Sequence, residues 1–212
     1  MKYKRNEREL KDNNGKAKVV GITGGIASGK TVATDALRAR GYYVVDADEV
    51  SRALTARGGD GERALVELFP DCAENGTLDR RRLRALISSD KSARDRLNAY
   101  THPLILGKIS ELVKSANGPV VLSAPLLFET ALGSLCDRTV CIICPREKRI
   151  ERIVARDGVS EADARKILDA QISDSVRATL ADYCIPSDRS ADEFTEEVVE
   201  LFDGLFGIDR RI

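Results

Sequence analysis

Short apolar runs alternate with amphipathic stretches along most of the chain. Five of these runs are rich in β-branched and other apolar residues, which predicts strands. The predicted strands cover residues 18–23, 42–45, 120–122, 138–144 and 183–185. After the first strand, apolar residues at helical spacing predict a helix over 30–40, closed by Gly41. Strands that alternate with helices imply an α/β fold, a five-stranded parallel sheet flanked by helices.

Two stretches between the predicted strands show helical patterns only. Residues 49–116 carry several amphipathic segments, so we expect an all-helical insertion after the second strand. Residues 145–175 begin with a charged helix, and Ser160 and Asp163 form a capping signal for a second helix in this stretch. The rest of the folded chain is then a core built from three segments, 18–48, 117–144 and 176–212.

The composition is that of a globular protein, with 42% hydrophobic and 32% charged residues in a chain of 212. The 34 basic side chains balance the 34 acidic ones, which argues against a surface committed to nucleic acid or to an anionic membrane. The polar residues 1–17 contain no signal-peptide pattern and are expected to form a loosely ordered leader. The longest apolar stretch, 120–128, is far shorter than the ~20 residues of a membrane span. These features favour a small cytoplasmic enzyme or binding domain.

The five cysteines are an odd number and are scattered along the chain. Cys141 and Cys144 form a C-x-x-C pattern, but both lie in a predicted strand, where side chains three residues apart point to opposite faces. We therefore interpret the cysteines as small apolar core residues rather than as a metal or redox site. A reducing compartment fits this usage.

A phosphate-binding pattern follows the first predicted strand. Residues 24–31 read Gly-Gly-Ile-Ala-Ser-Gly-Lys-Thr and satisfy G-x-x-x-x-G-K-[ST], with a strand before and a helix after. Glycines let successive backbone N–H groups converge on phosphate oxygens, and the helix N-terminus adds its positive dipole end. Lys30 is expected to reach the β- and γ-phosphates, and the Thr31 hydroxyl to bind Mg²⁺. The predicted nucleotide-binding residues of this loop are Gly25, Ile26, Ala27, Ser28, Gly29, Lys30, Thr31 and Val32.

The loop indicates a nucleotide but not a reaction. The D-x-x-G and N-K-x-D patterns of GTPases do not follow it, and no LSGGQ-like run suggests a transporter ATPase. The helical insertion and the arginine-rich stretch 145–175 instead favour a small-molecule or nucleotide kinase, in which 145–175 would be a mobile lid. A nucleotide-binding switch without an acceptor is the alternative from a different class.

Two carboxylates follow the second predicted strand. Asp46 and Asp48 come at its end, and Arg52 lies one helical turn further on. The carboxyl ends of parallel strands form the ligand crevice, so one carboxylate could accept the proton of an acceptor hydroxyl while a basic residue keeps it ionised. Either aspartate could instead cap a helix over 49–57, and the two uses can coexist.

Three arginines of the predicted lid share one helical face. Arg149, Arg152 and Arg156 are spaced three and four residues apart. We expect Arg152 and Arg156 to contact the triphosphate during closure, because a guanidinium forms paired, charge-assisted bonds to phosphate oxygens. The alternative is a solvated helix in which Glu147 and Glu151 pair with these arginines.

Taken in order, these residues resemble the dephospho-coenzyme A kinase family over about 19–202. The resemblance extends beyond the loop to seven further groups of residues. They are Asp46-Ala-Asp48 with Arg52, Gly76-Thr-Leu-Asp79-Arg80, His102-Pro103, Pro125-Leu-Leu-Phe-Glu129, Arg152 with Arg156-Asp157, Gln171, and Arg177 with Ala181-Asp182.

The resemblance implies transfer of the γ-phosphate of ATP to the ribose 3′-hydroxyl of dephospho-coenzyme A, with ATP and Mg²⁺ as cofactors. It makes Asp48 the favoured general base, with Lys30 and Arg156 as further catalytic residues, and adds Arg177 to the nucleotide site. It also implies a small-molecule partner, no nucleic acid or membrane, and a monomer or weak homo-oligomer. The expected substrate-binding residues are Thr23, Asp46, Asp48, Arg52, His102, Pro103, Leu126 and Glu129.

Three positions depart from the family pattern. Ser123 stands where many members carry an aspartate that would hold a magnesium-bound water, and Arg149 stands where a glutamine is usual. Ser187 lies where an asparagine is expected after the last strand. Another P-loop metabolite kinase, for a nucleotide or a sugar acid, remains the alternative function.

Overall fold

The structure is a computed structural model that describes residues 4–5 and 18–208. The chain forms two compact units. We call the first the sheet unit, which comprises the described residues of Met1–Val44 and Ala116–Ile212. The second, the helical unit, comprises Val45–Ser115.

The described residues form both strands and helices. The strands are β1 (Lys4–Arg5), β2 (Val19–Gly24), β3 (Tyr43–Asp46), β4 (Ala73–Glu74), β5 (Thr77–Leu78), β6 (Val120–Ser123), β7 (Arg138–Ile143) and β8 (Tyr183–Pro186). The helices are α1 (Lys30–Ala39), α2 (Ala47–Leu54), α3 (Asp60–Leu68), α4 (Arg80–Ser89), α5 (Lys91–Ser115), α6 (Arg146–Asp157), α7 (Glu161–Asp169), α8 (Asp174–Leu180) and α9 (Ala191–Phe206). Two short 3₁₀ helices are Pro70–Cys72 and Ala131–Leu135.

The main sheet has the strand order β1-β8-β7-β2-β6-β3. Its five longer strands form the predicted parallel sheet, with β2 between β6 and β7 and with β8 beside β7. The short strand β1 pairs antiparallel with Tyr183 and Cys184 of β8. It lies within the predicted leader, and the other residues of 1–17 lie outside the described residues. The prediction of a five-stranded parallel sheet flanked by helices is therefore confirmed, with one added edge strand.

Local signals define the helix ends as the sequence predicts. The Ser160 hydroxyl accepts from the Asp163 N–H at 3.1 Å and begins α7. Ser190 and Glu193 form a reciprocal capping box at the start of α9. After α1, Gly41 turns the chain with a φ of 94°, a conformation that only glycine adopts without strain.

The core of the sheet unit lies between its strands and α9. All six residues of β2 are buried, as expected for a central strand with both faces covered. Val198 and Phe202 of α9 are fully buried against this sheet. The Tyr42 hydroxyl donates to the carboxylate of Asp203, the residue after Phe202 in α9, so this buried acid is hydrogen-bonded.

The cysteines behave as apolar residues. All five are free and buried. Burial raises the pKa of the Cys141 thiol to about 12, with a smaller contribution from Cys184, so this thiol stays neutral near pH 7. Across residues 18–208, no group of three or more His, Cys, Asp or Glu side chains is placed to hold a metal ion.

The helical unit contains a hairpin that contradicts the expectation of an all-helical insertion without strands. Strands β4 and β5 pair antiparallel. Asn75 and Gly76, with φ of 50° and 74°, form the two-residue turn between them. Asn-Gly is the strongest short hairpin signal, because both central residues of this turn need positive φ. The two-residue strands are too short to show a period, so only the turn indicated them.

The longest helix of the helical unit is α5, with 25 residues. Helices α2 and α4 pack against it, and it contains Pro103, which cannot donate a backbone hydrogen bond within the helix. None of the described helices, α5 included, is both long and apolar enough to cross a membrane. Apolar residues from successive segments of the unit form its own core: Leu65, Phe69, Cys72, Leu78, Leu83 and Ala93.

We predict that Phe202→Ala lowers the free energy of unfolding by about 3–5 kcal/mol, because it leaves a cavity in a fully packed core. Urea unfolding followed by circular dichroism measures this. Val176→Ala is the control, since Val176 is 48% exposed on α8 and should change stability by less than about 0.5 kcal/mol. Equal losses in the two variants would contradict the position of Phe202 in the core.

Candidate active site

The loop of residues 24–31 leaves the start of α1 open to a ligand. Strand β2 ends at Gly24, and α1 begins at Lys30. The N-cap residue is Gly29, with a φ of 103° and no side chain that could cap the helix. The first N–H groups of α1 therefore receive no bond from a capping side chain. Together with the positive dipole end, this makes the helix start suited to an anion.

The carbonyl oxygens of the same loop are held by side chains from elsewhere in the sheet unit. Arg149 Nε donates to Ile26 O at 2.8 Å. Arg152 Nη1 donates to Ala27 O at 3.0 Å. The Ser187 hydroxyl donates to Ser28 O, so three successive carbonyls are bonded. Arg152 also donates to the backbone carbonyl of Ser187 at 2.9 Å, which ties the two holding groups together.

The predicted phosphate-binding lysine contacts one of the departures from the family pattern. Lys30 Nζ donates to the Ser123 hydroxyl at 2.8 Å, at the end of β6. Ser123 is fully buried. Thr23 Oγ1 donates to Pro125 O at 3.2 Å, which joins the end of β2 to the segment that follows β6. The Thr31 hydroxyl, the predicted metal ligand, is on an exposed residue of the first turn of α1.

The three arginines predicted to share a face of α6 have different partners. Arg149 and Arg152 reach the loop, whereas Arg156 Nε and Nη2 each donate to the carboxylate of the neighbouring Asp157 at 2.8 Å. Hydrogen bonding in this exposed pair lowers the pKa of Asp157 and raises the pKa of Arg156. The alternative, in which these three arginines pair with Glu147 or Glu151, does not describe this helix, since Arg156 pairs with Asp157 and the other two contact the loop.

Two predicted ligand residues, Arg177 and Glu129, contact each other. The side chain of Arg177 is 1% exposed, and its Nη2 lies 3.6 Å from Glu129 Oε1. Its Nη1 donates to Ile172 O at 2.9 Å and lies 3.4 Å from Asp174 Oδ1. Arg177 is therefore a buried ion-pair centre that fixes Glu129, while Leu126, three residues before Glu129, is 44% exposed.

In the helical unit, Asp46 at the end of β3 and Asp48 in α2 have separate surroundings. Asp46 Oδ1 accepts from the N–H groups of Asp48 at 2.9 Å and Glu49 at 3.1 Å, so Asp46 caps α2. The helix begins at Ala47 rather than at 49 as predicted. Asp48 is exposed on the first turn, and Arg52 is exposed one turn later. Capping by one aspartate thus leaves the other carboxylate at the surface.

His102 and Pro103 lie near the middle of α5, His102 half-buried and Pro103 exposed. Sequence reasoning assigned no role to two residues at the loop, Gln171 and Asp174. Gln171 Oε1 accepts from the Ile26 N–H at 2.9 Å, and Asp174 pairs with Arg149 at 2.7 Å. Gln171 and Ile26 are 145 residues apart, and no local pattern indicates such a contact.

Sequence comparisons identify relatives over most of the chain. The sequence profile of the dephospho-CoA kinase family matches residues 18–193. The dephospho-CoA kinase of Pseudoalteromonas translucida is 37% identical over 201 residues, which cover 93% of this chain and 96% of the relative. That of Methylococcus capsulatus is 39% identical over 170 residues, which cover 79% of this chain and 86% of the relative.

Solved structures also align with most of this chain. A crystal structure of a protein from Thermus thermophilus aligns with a TM-score of 0.78 at 29% identity, over 88% of this chain and 96% of its own. A dephospho-CoA kinase from Campylobacter jejuni aligns with a TM-score of 0.69 at 25% identity, over 90% of this chain and 98% of its own. Shikimate kinase from Acinetobacter baumannii, at 16% identity and a TM-score of 0.52 over 93% of this chain and 97% of its own, shares the fold.

We predict that Gly29→Ala destabilises the protein by about 1–3 kcal/mol and weakens ADP binding at least about tenfold. Its φ of 103° strains any side chain, and a Cβ would lie 3.2 Å from that of Ser187. Urea unfolding and titration calorimetry with ADP measure the two effects.

Gly107→Ala is the matched control, because Gly107 is inside α5 with no atom within 4 Å of an added Cβ. This substitution should stabilise the protein by about 1 kcal/mol or less and leave ADP affinity unchanged. A Gly29→Ala variant that behaves like Gly107→Ala would contradict the described loop conformation.

Proposed function

The chain belongs to the dephospho-CoA kinase family of ATP-dependent kinases, and from this we propose how its residues carry out the reaction. The reaction transfers the γ-phosphate of ATP to the ribose 3′-hydroxyl of dephospho-CoA and yields CoA and ADP. The observation that carries the proposal is the family match over 18–193, which includes both the phosphate loop and the segment from Asp46 to Arg52.

The loop fits the polyphosphate of ATP. No side chain caps the start of α1, and Lys30 lies at the end of the loop. The carbonyl oxygens of residues 26–28 accept hydrogen bonds from Arg149, Arg152 and Ser187. We assign the phosphates to the N–H groups of residues 25–32 and the γ-phosphate charge to Lys30.

The Thr31 hydroxyl fits one ligand position of a magnesium ion. It is exposed, and no hydrogen bond occupies it among the described residues. Mg²⁺ keeps several waters and takes its other ligands from substrate phosphates, so a single hydroxyl from this chain is sufficient. When bound, the ion would neutralise charge on the transferred phosphoryl group.

Asp48 is the proposed general base. Asp46 uses one carboxylate oxygen to cap α2, whereas Asp48 presents its carboxylate at the surface with Arg52 one turn away. We propose that Asp48 accepts the proton of the 3′-hydroxyl and that Asp46 and Arg52 shape the acceptor pocket. The remaining acceptor contacts are assigned to Thr23, His102, Pro103, Leu126 and Glu129.

Residues 145–175 are the proposed lid. Arg152 already lies against the phosphate loop, and Arg156 would exchange Asp157 for phosphate oxygens during closure. Closure would exclude water, which competes with the acceptor hydroxyl for the phosphoryl group. Arg177, buried beside Glu129, would support the nucleotide site through its ion pairs. The five buried free thiols fit the reducing conditions of the cytoplasm.

The acceptor is tested by ADP release from ATP and Mg²⁺ with dephospho-CoA, AMP, shikimate, gluconate or no acceptor. We expect stimulation by dephospho-CoA alone. Stimulation by another acceptor would favour a different metabolite kinase, and release that no acceptor changes would favour a nucleotide-binding switch.

The base is tested with Asp48→Asn, which should lower kcat by about 10²–10⁴-fold and leave the Kd for ATP within about twofold. Steady-state kinetics and calorimetry give the two values. Glu49→Gln, on the neighbouring exposed residue, should retain wild-type kcat. If Asp46→Asn lowers kcat while Asp48→Asn does not, Asp46 is the base instead, since asparagine would still cap α2.

A further inference from the structure

We propose that Arg149 is a positioning residue for the nucleotide. Its guanidinium, held by Asp174 and Gln171, fixes the peptide between Ile26 and Ala27 so that the loop presents its N–H groups to the phosphates. This inference rests on the proposed function in one respect, namely that residues 24–31 bind the phosphates of ATP.

Arg149 and Gln171 together bond both polar groups of one loop residue. Arg149 Nε donates to Ile26 O at 2.8 Å, and the Ile26 N–H donates to Gln171 Oε1 at 2.9 Å. Arg149 Nη2 also donates to the same Gln171 oxygen at 3.3 Å, so each of the three residues is hydrogen-bonded to the other two. Arg149 Nη1 donates to Asp174 Oδ2 at 2.7 Å. The planar guanidinium thus uses three nitrogens in three directions, which a lysine cannot do.

The burial of Arg149 distinguishes it from the exposed arginines around it. Its side chain is 7% exposed, and that of Asp174 is 21% exposed. Arg146 of the same helix is 47% exposed and pairs with Asp169, which is 64% exposed. Arg165 of α7 likewise pairs with exposed glutamates. A surface ion pair contributes little, whereas a buried guanidinium requires a full set of partners. Arg149 has that set only because it lies against the loop.

Peptide geometry connects Arg149 to the nucleotide. The described peptide bonds are all trans, so the N–H of each residue points opposite to the carbonyl before it. With Ile26 O bonded to Arg149, the N–H of Ala27 points to the other side of the peptide. With Ala27 O bonded to Arg152, the next peptide is fixed in the same way. The orientation of the loop N–H groups therefore depends on these arginines.

The close fit at Gly25 is a second, independent observation. A Cβ atom added to Gly25 would overlap the Nη2 and Cζ atoms of the Arg149 guanidinium. The loop backbone and the guanidinium are therefore in direct contact, with no room for a side chain between them. The buried Arg149–Asp174 pair thus holds the guanidinium against the loop backbone.

Two variants test the inference, each with the complete chain. Arg149→Lys keeps a positive charge facing Asp174 but loses the bonds to Ile26 and Gln171. Gln171→Ala removes the neutral acceptor that the Ile26 N–H and Arg149 Nη2 share, and leaves the charge of Arg149 in place. Arg146→Gln is the matched control, because it removes an arginine from the same helix without touching the loop. Calorimetry gives the Kd for ADP and for dephospho-CoA, kinetics gives KM and kcat, and thermal unfolding gives Tm.

We expect Arg149→Lys and Gln171→Ala to raise the Kd for ADP and the KM for ATP about 10- to 100-fold. The Kd for dephospho-CoA and the kcat at saturating ATP should stay within about threefold, and Arg146→Gln should match the wild type. Unchanged ADP affinity in both variants would overturn the inference. So would parallel losses of Tm, ADP affinity and dephospho-CoA affinity, which would indicate a merely structural role.

The binding readout separates this inference from the proposed function. If the wild-type protein binds ADP but does not phosphorylate dephospho-CoA, the proposed acceptor is wrong. A selective loss of ADP affinity in the same variants would still support the positioning role of Arg149. If the wild-type protein binds neither ADP nor ATP, both proposals fail.

Discussion

A backbone loop can bind phosphate through its N–H groups only while its carbonyl oxygens are satisfied in another direction. The loop between β2 and α1 meets this constraint with side chains that come from α6 and from the residue after β8. Carbonyl dipoles left free near a polyphosphate would repel it, so their removal is as necessary as the glycines themselves. Most of the arrangement of the sheet unit at this edge follows from that requirement.

The partners of the arginines on α6 also follow from the need to bond the loop carbonyls. Arg149 and Arg152 contact the loop backbone. Arg156, predicted to share their face of α6, pairs with Asp157 at the solvent-exposed surface. The exposed pair is weak because water screens it, so Arg156 can exchange its partner at small cost. Arg149 is buried and multiply bonded, and it cannot leave without uncovering Asp174. One helix therefore combines a fixed arginine with an exchangeable one.

Two serines near the loop, at positions expected to depart from the family pattern, have defined contacts. Ser123 accepts a hydrogen bond from the Lys30 ammonium through its neutral hydroxyl. Ser187 bonds a loop carbonyl with its hydroxyl and accepts from Arg152 through its backbone. Both serines are buried, which gives their short side chains a fixed geometry.

The sequence by itself determined the parallel sheet, the position of the phosphate loop and the helix that follows it, because hydrophobic period, glycines and caps are local signals. It also determined the family, since motifs in order need no coordinates. It did not reveal the hairpin at Asn75–Gly76, because strands of two residues are too short to show an alternating apolar pattern. The residue pattern allowed either Asp46 or Asp48 to cap the following helix, and the backbone geometry showed that Asp46 caps α2. Only the tertiary structure showed that Gln171 and Arg149 meet at Ile26. These two contacts join residues more than 100 positions apart, and side-chain direction at that separation depends on the packing of the whole sheet unit.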